Sequence, residues 1–508
     1  MLLQSTSSLI LEHYISTIAT SIILLLVSHF YYQIFINPLG KYPGPKFAAS
    51  SRIPHLYHTF KGDLLEWVTG LHAKHGDVVR VAPDELSYAT GEAWKGIYGH
   101  ASAGKPVTEK DTRFYGPSFN GSPDIIRSNG PDHARFRRNF SHAFSDRALR
   151  EQQSLICGYA DSLIDNLHKT TKDIPKAKVN MVRMFNLTTF DIMGDLTFGE
   201  SLNLLAGTGN TSWVSAIYVS IKTNSLRRLA RYIPWTAPIA QRLIPKKLAQ
   251  QSVAHYQASQ ERVDKRVDVN HTLQKPDIWG IVMSQKEDLR LTRTEMYANS
   301  QVFMVAGTET TATALSGLLY HLLMAPDKMR IIVEEVRGTF AHDSDIDMRT
   351  LEHMTYLNAC IEEGLRIYPP VPVGLPRVTP EEGLLVCGEH TPGKTAVSIH
   401  HWATYRNARN FRLPDQFIPE RWIGDEFATD DKAAFQPFSF GPRNCIGKKC
   451  VLVLHSGGCN IANDGTVWHT MKCVLFWPRC CIILRFLFTP SPLVGKNRRR
   501  SFCGRRRI

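Results

Sequence analysis

At 508 residues the chain is long enough for two or three domains, or for one large domain with a sizeable core. Its formal charge of +14 suggests a nucleic-acid partner until it is located: residues 450–508 hold ten Lys/Arg against one acid, Asp464, so most of the excess is terminal and no nucleic-acid partner is expected. Only Cys157, Cys360 and Cys387 precede Cys445, which suits a reducing compartment and excludes a disulfide framework there.

Between Glu12 and Lys41 there is no Lys, Arg, Asp or Glu. Tyr14–Ile36 is apolar and about long enough to cross a bilayer core as a helix. It lacks the basic start and small-residue cleavage site of a secretory leader. Lys41, Lys46 and Arg52 follow it and no basic residue precedes it, so the positive-inside rule leaves the bulk of the chain in the cytosol. The expected order is a short lumenal segment (1–13), a signal anchor (14–36) and a proline-rich, helix-incompatible hinge (37–46).

Residues 75–92 partly alternate apolar and polar side chains and predict a strand pair. Residues 100–131, rich in Gly, Pro, Ser and Asn, read as a long loop. A helical pattern then opens at His133, with Arg137 four residues on and on the same face. Several amphipathic helices are expected over 152–268. Within them, Leu226–Lys247 mixes basic residues with Ile233, Trp235 and Ile239, which fits a membrane-surface segment or a solvated basic face equally well.

Thr292-Arg293-Thr294-Glu295 is a capping box, and the helix it opens should run to Pro326, on the order of 50 Å. In its middle stand Ala306-Gly307-Thr308-Glu309-Thr310-Thr311. Small residues there remove bulk, and threonine hydroxyls can bond carbonyls four residues back and open the helix locally. Pro326 starts another helix. Met354–Ile367 forms a third, with Glu363 and Arg366 on one face. Val371–Arg377 predicts an extended, proline-punctuated strand.

Phe438-Ser439-Phe440-Gly441-Pro442-Arg443-Asn444-Cys445-Ile446-Gly447 is a Gly/Pro turn that places a cysteine at the mouth of a helix. Peptide N–H groups after Cys445 would point at its sulfur and favour the thiolate. Gly447 has no Cβ, so a flat ligand could lie close over the backbone, and Arg443 could pair with a carboxylate of that ligand. A thiolate, a flat dianion and an arginine for its propionate describe a haem-thiolate site.

The fixed positions Phe438, Gly441, Arg443, Cys445 and Gly447, with Ala306-Gly307-Thr308-Glu309-Thr310-Thr311 upstream, resemble the cytochrome P450 superfamily over roughly residues 30–449. The resemblance implies a mainly α fold with small β-sheets, a haem domain over 47–449, and haem b held by Cys445 as the axial ligand to iron. It implies Glu309 and Thr310 as catalytic residues managing protons. Arg443, Arg377, Phe438, Gly447 and the His133–Arg137 pair would hold the cofactor, histidine standing where the family usually shows tryptophan. Ala306, Val373 and Leu375 would border the substrate, under a roof formed by residues 100–131. Glu363, Arg366 and Arg421 resemble the family's charged structural triad.

The implied reaction inserts one oxygen atom from dioxygen into a lipophilic molecule. Electrons would come from NADPH through cytochrome P450 reductase, with cytochrome b5 as an optional second donor, at the endoplasmic reticulum membrane. The hinge, residues 89–94 and Gly374–Arg377 resemble fungal secondary-metabolite members, including trichothecene-type hydroxylases, which implies terpenoid, polyketide or mycotoxin chemistry. A haem-thiolate isomerase or dehydratase that needs no dioxygen is the alternative within the same family.

After Lys449 the resemblance stops. Paired glycines at 457–458 and β-branched residues argue against the long helix the family places there. Residues 450–508 are rich in cysteine and arginine, with spacings that fit no standard zinc pattern. They read foremost as an artefact of gene prediction. An inactive, truncated pseudoenzyme and a separate zinc or nucleic-acid module are the other readings.

Overall fold

The computed structural model describes residues 2–448 apart from 101–106, 174–177, 210–211, 269–276, 286–289, 343–345 and 347. The Cys/Arg-rich tail therefore lies outside the described residues.

Helix α1 (Leu2–Tyr31) continues through a π-helical turn, Tyr32–Ile36. Glu12–Ile36 has a mean hydropathy of 1.6 and none of it is buried, which suits a membrane anchor. The hinge differs from expectation in containing a 3₁₀ turn, Pro38–Lys41, capped by the Asn37 side chain on Leu39 N (2.8 Å). Proline is tolerated at that first position because its missing N–H would have no partner anyway.

The principal helices that follow are α2 (Ile53–Lys61), α3 (Leu64–His75), α4 (Gly91–Tyr98), α5 (Gly130–Ser141), α6 (Asp146–Asp173), α7 (Met181–Phe198), α8 (Ser212–Tyr232), α9 (Lys246–Asp268), α10 (Arg293–Met324), α11 (Pro326–Thr339) and α12 (Thr355–Ile367). The strands are β1 (Val78–Ala82), β2 (Glu85–Tyr88), β3 (Glu109–Lys110), β4 (Arg377–Val378), β5 (Leu384–Val386), β6 (Glu389–Thr391) and β7 (Ala396–Ile399). Five of them form one sheet in the order β1-β2-β7-β4-β3, and β5-β6 is a separate hairpin. The architecture is mainly helical with small sheets.

Helix α10 is the axis of the large core. Both halves of its capping box form, Thr292 Oγ1 receiving Glu295 N and Glu295 Oε2 receiving Thr292 N. Its closest neighbour is α7, and Gly307 makes that approach possible: a Cβ there would lie 2.4 Å from Met193 Sδ. Phe303, one turn earlier, meets Phe140 of α5 edge-on at 4.8 Å, and Phe140 meets Trp279 in the same way at 6.1 Å. Each fully buried side chain of this size contributes about 1.5–3 kcal/mol.

The sheet carries a smaller core of its own. Trp94 of α4 is buried against it and donates from Nε1 to Ala434 O (3.1 Å). Val371–Arg377 is a single extended strand in expectation only: ladder pairing begins at Arg377, because Pro372 and Pro376 supply no N–H to a neighbour.

Candidate functional site

The cysteine segment is positioned by its glycines and by α4. Gly441 adopts φ +73°, and a Cβ on it would fall 2.0 Å from Tyr98 O, at the end of α4, so only glycine fits. A 3₁₀ turn, Gly441–Arg443, follows, and Cys445 N donates to Phe438 O (2.8 Å). Phe438 and Ile446 pack against the large core, which fixes both sides of the loop. Arg137 reaches across from α5 and grips Asn444 through its carbonyl and its side-chain oxygen, the latter at 2.6 Å. Arg137 thus holds the loop itself.

Cys445 is an exposed residue with a free thiol. Desolvation by the surrounding protein still raises its pKa, against the Gly447 N–H and the positive charges of Arg137 and Lys448. The helix expected after the cysteine lies outside the described residues, so the Gly447 N–H is the local donor observed. Among the described residues, a Cβ at Gly447 would make ordinary contact with Cys445 Sγ at 3.9 Å and Phe144 Cε1 at 4.0 Å, so nothing crowds the backbone beside the sulfur. Phe144 in turn touches Phe303, its ring centroid 6.0 Å away, which ties the loop to α10.

Beside the loop lies a concentration of positive charge. Lys110 and Arg377 are direct cross-strand partners on β3 and β4. Arg443 extends from the cysteine loop and donates to Ser128 O (2.6 Å). Arg377 is buried, and its Nη1 has no hydrogen-bond partner. Burial and then the Arg377 and Arg443 charges push the Lys110 pKa well below its ordinary value. Burial and then Arg377 bring Arg443 down to about 10. His133, also buried, falls to about 3 under burial first, then Arg443, Lys110, Arg137 and Arg377, and so is neutral.

No carboxylate among the described residues forms an ion pair with Lys110, Arg377 or Arg443, although Asp124 and Glu109 lie near enough to be felt. Unpaired buried cations are costly, and a dianion would relieve all three at once. With the thiol and the glycine-lined space next to them, these residues fit haem and its two propionates. Lys110 is absent from the sequence expectation. It falls in a stretch read as loop, and only its pairing with Arg377 reveals it.

On α10, Val305, Ala306, Gly307, Glu309 and Thr310 are half-buried between buried residues at 302–304 and 311–315. Thr310 Oγ1 donates to Ala306 O (2.6 Å) and Thr308 Oγ1 to Met304 O (2.6 Å), the back-bonding expected of them. The helix nevertheless stays continuous from Arg293 to Met324, so the expected local opening is not present. Val373 and Leu375 are half-buried, and Leu375 O accepts from Tyr98 Oη (2.9 Å).

Glu363, Arg366 and Arg421 are all fully buried. Arg366 donates to both Glu363 oxygens (2.7 and 2.8 Å) and to the carbonyls of Tyr405, Pro414 and Gln416. Glu363 also accepts from Ile418 N (2.9 Å) and Trp422 Nε1 (3.1 Å). Arg421 lies 3.5 Å from Glu363 Oε2, but its hydrogen-bonded partner is Asp430, which the sequence reading does not contain. Asp430 brings the buried cluster to two acids and two bases.

Comparison with known proteins agrees with this geometry. Residues 51–450 match the family model for cytochrome P450. The chain is 46% identical over 421 residues to cytochrome P450 monooxygenase efuB of Hormonema carpetanum, covering 82% of this chain and 83% of that one. It is 37% identical to cytochrome P450 monooxygenase FUM2 of Gibberella moniliformis, covering 90% and 99%. Averantin hydroxylase of Dothistroma septosporum is 38% identical, covering 82% and 78%. The free thiol of Cys445, the uncompensated cations beside it and these matches have one common explanation: the chain belongs to the cytochrome P450 family, whose members hold haem iron through a cysteine thiolate.

Proposed function

We propose that the chain is a membrane-anchored monooxygenase that inserts one atom of dioxygen into a lipophilic small molecule of fungal secondary metabolism. The observation that carries this reading is the free Cys445 thiol beside Lys110, Arg377 and Arg443, which form no ion pair among the described residues. Bound there, haem supplies dioxygen activation, a chemistry no side chain possesses.

The chain's residues do the rest. Cys445 Sγ would be the donor to iron; the Gly447 N–H and the charges of Arg137 and Lys448 favour its thiolate against the burial that raises its pKa. Lys110, Arg377 and Arg443 receive the propionates, and neutral His133 offers them a hydrogen bond. Phe438 supports the loop from the core side. Thr310 Oγ1, released from Ala306 O, and the Glu309 carboxylate hold and pass protons at the half-buried face of α10. Ala306, Val373 and Leu375 border the substrate. Glu363, Arg366 and Arg421 keep the domain, 47–449, in shape.

Electrons come from NADPH through cytochrome P450 reductase, with cytochrome b5 as a second donor. The anchor, 14–36, and the hinge, 37–46, place the domain on the cytosolic face of the endoplasmic reticulum. Exposed Phe47, Ile53, Phe60, Trp235 and Ile239 suit the bilayer surface.

The test is a carbon monoxide difference spectrum of the reduced membranes. The parent should give a thiolate-type Soret band and Cys445→Ser should not. A band unchanged by that substitution would remove Cys445 from the site. Product formation that requires both NADPH and dioxygen would separate monooxygenation from isomerisation or dehydration.

A further inference from the structure

Near its end, α8 carries Arg228, Arg231 and Tyr232 over the segment Asp111–Gly116, and the charges in this region are satisfied very unevenly. Arg52 pairs with Asp84 and Glu85. Arg113 pairs with Asp84 and Asp111. Arg231 Nε donates to Arg113 O (2.8 Å), and its Nη2 reaches Phe114 O (3.2 Å) and Asn224 Oδ1 (3.4 Å).

Arg228 differs from all three. Its guanidinium lies 3.8 Å above the Phe114 ring, its Nε is buried without a hydrogen-bond partner, and it forms no ion pair among the described residues. Burial lowers its pKa, and the charge that acts on it most from the acids is Glu85, already paired with Arg52. Tyr232 and Tyr115 lie near enough for their phenols to act on its charge, and neither phenol is hydrogen-bonded among the described residues.

Tyr115 also places this arginine relative to the haem site. The same phenol feels the charges of Arg377, Arg443 and Arg228, and Lys110 Nζ lies 4.7 Å from its ring centre. Tyr115 therefore lies within the electrostatic reach of both Arg228 and the propionate-holding group. Those cations are accounted for by haem; Arg228, stacked on Phe114, is not. A half-buried guanidinium on an aromatic face, with two free phenols beside it, is built to take a planar anion.

We propose that Arg228 receives the carboxylate of the substrate, so that the chain acts on lipophilic acids that carry the acid group away from the oxidised carbon. The inference rests on the monooxygenase reading and names the substrate class of that site. Phe114 supplies the apolar contact next to the acid head, while Tyr115 and Tyr232 supply hydroxyl donors.

The probes are dodecanoic acid and 1-pyrenebutyric acid, each against its methyl ester, with the full-length holoenzyme in nanodiscs. Equilibrium dialysis reads binding without relying on the haem, and the thiolate Soret band of the same preparation reports separately on the haem reading. At least one acid should bind more tightly than its ester. Arg228→Gln should weaken that acid about 10- to 100-fold while leaving the ester nearly unchanged. Arg228→Lys should recover part of the loss, because it keeps the charge and loses the planar fork. Arg231→Gln, which removes backbone-capping bonds instead, should shift acid and ester together. Equal binding of acids and esters by the parent, or equal weakening of both by Arg228→Gln, would overturn the proposal even with the thiolate band intact.

Discussion

Among the described residues, two of the buried groups of charge look alike in sequence and differ in balance. Glu363, Arg366, Arg421 and Asp430 form a closed set in which every charge has a counter-charge and Arg366 also meets three carbonyls. Lys110, Arg377, Arg443 and neutral His133 form an open one, with burial and mutual repulsion but no ion pair among the described residues. A closed set stabilises one conformation and offers a ligand nothing. An open set costs stability until a ligand of opposite charge arrives. Charge balance, more than the number of arginines, separates scaffold from site.

The sharpest break of this contrast is in the closed set. Glu363→Ala strands Arg366 in the core and removes a partner of Arg421, at a cost of about 3–5 kcal/mol. Expression should fall, and thermal unfolding of what survives should show a large drop in melting temperature whether or not haem is bound. A stable Glu363→Ala protein would show that the cluster does not depend on each charge keeping its counter-charge.

The open set should answer in the opposite way. Arg377→Gln removes a buried charge that has no counter-ion, so the haem-free protein should melt at the same temperature or slightly higher. Haem retention should fall about 10-fold, read by titration of the haem-free protein. A destabilised haem-free protein with unchanged haem affinity would place Arg377 with the scaffold.

The smallest effect belongs to His133. Its folded pKa of about 3 lies below the unfolded value of 6.5, so the unfolded chain takes up a proton first as pH falls. The stability it contributes is complete above about pH 6.5 and is lost as pH drops toward 3. His133→Gln should reduce the slope of haem-free stability against pH in that window by one proton. Other buried histidines titrate there too, so the difference between the two curves is the measurement.

What could be read in advance follows from locality. The α10 capping box, the Gly/Pro turn at Cys445 and the Glu363–Arg366 spacing are properties of a few adjacent residues, and all three are visible in order along the chain. Lys110 and Asp430 were missed because their meaning lies in partners far away in sequence: a two-residue strand beside Arg377, and a loop acid beneath Arg421. Gly307 shows the same limit. Its smallness is obvious in sequence as a loss of bulk in mid-helix, while only the fold shows that it admits Met193 of α7. Periodicity tells which face is apolar and is silent about what will cover it.

One joint near the N-terminus has a mechanical consequence. Buried Arg80 of β1 donates to Gln33 O (2.7 Å) at the foot of the apolar helix and to Pro83 O (2.7 Å), while its own N–H meets Pro43 O (2.8 Å). Gly44 presses so close that a Cβ would sit 2.5 Å from Arg80 O. The helix is thereby a mast stepped into the sheet instead of a rope tied to it. A bilayer that takes up the mast also sets the heading of the domain, which turns with the membrane plane and does not tumble above it.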